Sequence, residues 1–157
     1  LPHAGELLGA QAVAETLDSL RPDRLGHGVR SVEDPAVLDR VVAAGVALEV
    51  CPGSNVALGV YVDAHEVPLR QLLDAGATVA LGADDPVIFG SRLAQQYTTA
   101  REVHGIDDAG LAGLALGSLR ASRAPSDVVA AAVADVDAWL RGWVGAADAL
   151  RRACLRA

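Results

Sequence analysis

The sequence has 157 residues, of which 52% are hydrophobic, with a net charge of −7 and a pI of about 4.9. That apolar content can bury the core of one domain, and the acidic balance excludes the basic face that nucleic-acid binding requires. No run approaches the roughly 20 apolar residues of a membrane span, and Cys51 and Cys154 make no disulfide framework, so a reducing, cytoplasmic setting is expected.

The first helical pattern runs from Leu7 to Leu20, with Leu8, Ala12, Val13, Leu17 and Leu20 at helical spacing, and stops at Arg21-Pro22. Asp23 to His27 reads as a short strand. Asp34 is placed to cap a second helix, with Pro35 in its first turn. That helix reaches about Ala44, where Gly45 closes it. Val46 to Cys51 is a mostly apolar run, the pattern of a parallel strand buried on both faces. Pro52 to His65 reads as loop, Pro68 to Ala75 as helix, and Ala77 to Gly82 as another strand. Helical patterns then fill Ser91 to Val103, Asp107 to Leu119 and Ser126 to Trp143, with a last one near Ala147 to Leu155. Strand and helix alternate as far as Asp85, which argues for an α/β fold with parallel strands. The helical tail is expected to pack outside the sheet.

Polar signatures stand at the strand ends. They are His3-Ala4-Gly5-Glu6, Gly26-His27-Gly28, Glu49-Val50-Cys51-Pro52 and Asp84-Asp85-Pro86. His3 to His27 is 24 residues, His27 to Cys51 is 24 and Cys51 to Asp84 is 33. One strand-helix unit takes roughly 25–35 residues, so these signatures fall on one rim of a barrel. A complete eight-unit barrel needs roughly 200–250 residues or more. The sequence therefore has room for about half of one, and is expected to be the C-terminal portion of a longer protein. Residues 1–157 are read as a single partial domain.

Several residues carry chemistry. His3 and Glu6 leave one strand together and can face one cleft. His27 lies between two glycines that permit close approach of a ligand. Asp84 and Asp85 are adjacent carboxylates, which a cation would compensate; the simpler reading is an Asp-Pro helix start. Cys51 has no second cysteine nearby and reads as a small buried apolar residue, while His65 and His104 stand in no motif and read as surface residues. Two histidines and an aspartate at the ends of three strands suit Zn²⁺, with a glutamate beside them as proton donor. That is the layout of metal-assisted hydrolysis.

With Arg24-Leu25-Gly26-His27-Gly28, Leu48 to Pro52 followed by Ser54-Asn55, and Phe89-Gly90 after Asp84-Asp85-Pro86, the sequence resembles the adenosine deaminase family of metal-dependent amidohydrolases. The resemblance runs from Leu1 to about Pro125. It implies the C-terminal half of a (β/α)8 TIM-type barrel, followed by outer helices. It implies that His3 and Asp84 are zinc ligands, that Glu6 protonates N1 of a purine, that His27 orients and deprotonates the attacking water, and that Asp85, near N7, and Gly5 contact the substrate. One Zn²⁺ per complete site and a small purine nucleoside such as adenosine are the implied cofactor and partner, with neither nucleic acid nor membrane. Adenine and aminofutalosine are alternative substrates, and a non-catalytic, growth-factor-like member is the alternative outside enzymes. The family's His-x-His pair has no counterpart among the four histidines of this sequence. The remaining half of the barrel, or self-association through exposed edges, is then an expected partner. The zinc deaminases of the cytidine type are excluded, because no Pro-Cys-x-x-Cys is present.

Overall fold

Short strands form one parallel sheet in chain order: β1 (His3–Ala4), β2 (Arg24–His27), β3 (Ala47–Val50) and β4 (Val79–Leu81). Parallel pairing requires a crossover after each strand. The crossovers are α1 (Ala10–Leu20) after β1, α2 (Pro35–Ala43) after β2, and α3 (Pro52–Ala57) with α4 (Leu69–Asp74) after β3. Beyond β4 the chain is helical, with α5 (Pro86–Phe89), α6 (Leu93–Glu102), α7 (Asp108–Ala121) and α8 (Ser126–Cys154). This computed structural model describes the backbone of residues 1–154 and the side-chain surroundings of residues 1–142.

The two-residue period of a strand divides the sheet into two faces. Leu25, Leu48 and Val79 share one row of the register and are buried under the helices, where Val13, Val41, Leu72 and Leu114 join them. His3, Gly26, Glu49 and Ala80 share the next row, on the opposite face. Glu49 is partly exposed there, and Arg24 on β2 pairs with it at 3.4 Å. The run Val46 to Cys51 is thus buried on both faces, as expected, except at Glu49, which pairs with Arg24 of the neighbouring strand.

Local chemistry explains most element boundaries. Asp34 caps α2 by accepting from the Ala36 N–H, and Pro35 occupies the first turn, as expected. The first helix starts at Ala10 rather than Leu7, because Leu7 and Leu8 lie exposed on the loop leaving β1. The segment Pro52 to His65 is not all loop. Its first residues form α3, whose buried positions include Ser54 and Asn55, so no apolar period marks it. The expected break between Trp143 and Ala147 is absent, since α8 runs unbroken through Gly145; Leu155 lies outside the described residues.

Candidate active site

The loop leaving β1 is shaped by Gly5, which has φ +68. A Cβ at Gly5 would sit 2.5 Å from Val13 Cγ2 and 3.1 Å from the Gly28 Cα, so only glycine lets this loop lie against the loop after β2. Glycine is required at position 5 by internal packing. The residue lines a groove with Leu7 and Leu8, outside the cavity that holds His27.

That cavity has a volume of about 460 Å³ and is lined by His3, His27, Asp84, Arg24, Glu49 and Cys51 among others. His27 is buried at 3% exposure and Asp84 lies at its edge; both have left-handed backbones, with φ 67 and φ 57. His27 joins the groups together. Its Nδ1 is 3.2 Å from Glu6 Oε1, its Nε2 is 4.0 Å from Asp84 Oδ2, and its ring meets that of His3 edge-on with centroids 5.0 Å apart. Burial pushes the His27 imidazole below its ordinary pKa, while the negative charges of Glu6 and Asp84 oppose that shift. A neutral imidazole with one ring nitrogen against a carboxylate has its other nitrogen available to take up a proton.

Glu6, His27 and Asp84 each offer a ligand atom within 4.8 Å of the others. His3, expected as a ligand, is not in that tightest group, but it lines the same cavity. Imidazole nitrogens and carboxylate oxygens in one small cavity are a donor set that fits Zn²⁺.

Other expected residues fall in different places. Asp85 is the N-cap of α5, and its Oδ1 accepts from the backbone N–H groups of Val87 and Ile88. The helix-start reading therefore holds for this carboxylate, whose Oδ2 is left for another partner. Cys51 is buried, and burial together with the nearby negative charge of Asp84 raises its thiol to about 12. It is a neutral packing residue, as expected. His65 is exposed as expected, whereas His104 is half-buried, which corrects its reading as a surface residue. Its Nε2 is buried with no hydrogen-bond partner among the described residues, and burial lowers its pKa.

Sequence reasoning gave no role to Asn55. It is fully buried in α3, and its Nδ2 donates to Glu6 Oε1 at 3.0 Å across 49 residues of sequence. Its signal in the sequence is a polar residue just after a strand-ending Cys-Pro, where an apolar residue would suit the core better.

A sequence model of the family described as "Adenosine deaminase" matches residues 1–139. The chain belongs to the adenosine deaminase family. It is 57% identical to a Streptomyces coelicolor protein named for adenosine/adenine deaminase activity, over 88% of this chain and 40% of that protein. An adenine deaminase of Agrobacterium fabrum is 50% identical over 68% of this chain and 33% of its own length. Among solved structures, the adenine deaminase from Arthrobacter aurescens superposes with a TM-score of 0.85 at 35% identity, over 88% of this chain and 42% of that one. An amidohydrolase from Burkholderia ambifaria, solved with bound Zn, shares the fold with a TM-score of 0.80 at 22% identity, over 94% of this chain and 42% of that one. The chain thus spans about two fifths of the length of these relatives, and its parallel sheet with outer helices is the C-terminal half of their TIM-type barrel.

Proposed function

We propose that this chain supplies one half of the active site of a hydrolytic 6-aminopurine deaminase, with residues 1–157 as a single unit that completes its barrel with the other half. The reading rests above all on the meeting of His3, His27 and Asp84 at one cavity, after strands far apart in sequence, with the Glu6 carboxylate 3.2 Å from His27. Adenine is the favoured substrate, because Agrobacterium fabrum and Arthrobacter aurescens relatives are named adenine deaminases. Adenosine remains the second reading, because the Streptomyces coelicolor relative is named for both.

In this reading His3 and Asp84 hold a zinc ion, with further ligands from outside this chain, and the ion supplies Lewis acidity that makes water a better nucleophile near neutral pH. His27 takes the proton of the attacking water, its Nδ1 lying 3.2 Å from Glu6 and its Nε2 4.0 Å from Asp84. Glu6 delivers a proton to a ring nitrogen, which lets the purine accept electron density as oxygen adds at C6. Asp85, whose Oδ1 is engaged in capping its helix, has Oδ2 to offer the ring edge. Protonated His27 gives its proton to the amino group, and ammonia leaves C6 as the added oxygen becomes the carbonyl, its proton restoring Glu6 by way of solvent.

The test is expression of the complete protein and measurement of ammonia release with adenine and with adenosine, before and after chelation and zinc restoration. Turnover of either purine, lost on chelation and restored by zinc, is expected. Absence of turnover with both purines in zinc-loaded protein would sink the proposal.

A further inference from the structure

We infer that Asn55 is a positioning residue for Glu6: by holding Oε1 it leaves Oε2 as the oxygen that carries the proton to substrate. The inference deepens the proposed deaminase reading and rests on it. Glu6 sits on the loop after β1 and is partly exposed, so nothing local in the sequence fixes its carboxylate. The fixing comes from elsewhere. Asn55 Nδ2 donates to Oε1 at 3.0 Å, and His27 Nδ1 stands 3.2 Å from the same oxygen. Only the amide makes a hydrogen bond to that oxygen among the described residues, and this one donor makes the two carboxylate oxygens unequal. The amide orientation with Nδ2 toward Glu6 is the one that matches donor to acceptor.

Asn55 is itself held rigidly. It is 0% exposed, its backbone N–H donates to the Cys51 carbonyl at 3.0 Å, and its own carbonyl accepts from the N–H of Val60 at 2.9 Å. The side chain thus approaches Glu6 from a closed turn, with little freedom to follow it. Asn55 Oδ1 is also buried without a hydrogen-bond partner among the described residues. An asparagine kept only to satisfy the core would have both ends of its amide paired, since an unsatisfied buried acceptor is a cost. The amide is placed for its nitrogen, and that nitrogen serves Glu6.

A double-mutant cycle in the complete zinc-loaded protein separates this role from a merely structural one. Asn55→Ala is expected to lower kcat by about 10–100-fold, a part of the roughly 10²–10⁴-fold that a general acid contributes, with KM and zinc content nearly unchanged. In the Glu6→Gln background the same change should move the residual rate by less than about twofold, because residues that act as a unit are not additive. Equal losses in both backgrounds would overturn the inference, as would a normal kcat in Asn55→Ala. Asn55→Asp is isosteric and carries the test if Asn55→Ala fails to fold. It replaces the donor with an acceptor and must lower kcat, and normal turnover in it would also overturn the inference. A wild-type protein inactive on both purines defeats the deaminase reading and this inference together, whereas an active wild type with an unaffected Asn55→Asp defeats only the role of Asn55.

Discussion

The His3 ring lies close against Gly26, in the neighbouring strand. A Cβ at position 26 would stand 2.6 Å from His3 Cδ2 and 3.0 Å from its Nε2, closer than side-chain atoms approach one another. The strands pair His3 with Gly26 directly in register, so the ring occupies the space that a side chain at position 26 would take. In the complete protein, Gly26→Ala should therefore displace the imidazole and weaken zinc binding by about 10–100-fold, the usual effect of disturbing the support of a metal ligand. Metal content after dialysis against a graded chelator measures this. Wild-type retention of zinc by the variant would show that His3 is not a ligand.

Glu6 and Asp84 should fail differently when neutralised in the complete protein. Glu6→Gln keeps the shape of the side chain and removes its acid, so turnover should fall by about 10²–10⁴-fold while zinc stays bound. In the proposed reading Asp84→Asn removes an anionic ligand, and it should lower zinc content together with rate. Zinc per protein and ammonia release, measured on both variants, separate the two. Normal zinc in Asp84→Asn would refute its role as a ligand.

His104 gives a pH dependence remote from the cavity. Burial, with a smaller contribution from His65, lowers its pKa below 6.5 in the folded chain. As pH falls, the unfolded state binds the proton first. The folded state is therefore unimpaired above about pH 6.5, loses stability as pH drops below that value, and stops losing it under the folded pKa. Denaturant midpoints at about pH 7.5 and about pH 5 should differ less in His104→Asn than in wild type. An identical difference in both proteins would remove His104 as a cause.

The 157-residue chain, expressed alone, should self-associate. In the described sheet β1 and β4 each pair on one side only, and Leu7, Leu8 and Leu20 are exposed at 68%, 70% and 62%. Unpaired parallel edges beside exposed leucines are templates for further pairing. Sedimentation over a range of concentrations checks this, and a monomer that stays monodisperse throughout would contradict it.

Much of the fold was legible because its punctuation is local. Asp34-Pro35 and Arg21-Pro22 mark helix ends through backbone chemistry that needs no tertiary context. Strand placement followed the apolar runs, and the polar residues at their ends made His3, Glu6, His27 and Asp84 the site candidates. The short helix α3 was not legible, because its buried residues include Ser54 and Asn55, whose burial is carried by hydrogen bonds rather than by apolar period. Asn55 escaped for the same reason, as its partner lies 49 residues away. His104 was misplaced because a lone histidine near a helix end carries no sign of what packs over it.

The left-handed backbones of His27 and Asp84 bear on how the protein can change. Each holds a side chain where glycine would rest at ease, at a cost of about 1–3 kcal/mol per residue. Under the proposed roles, these two positions give up conformational stability to chemistry. Glycine at either would relieve the backbone and remove the group, so selection for heat resistance alone would draw the chain toward an inert form. A thermostable variant is best sought elsewhere, on the outer helices, with positions 27 and 84 left untouched.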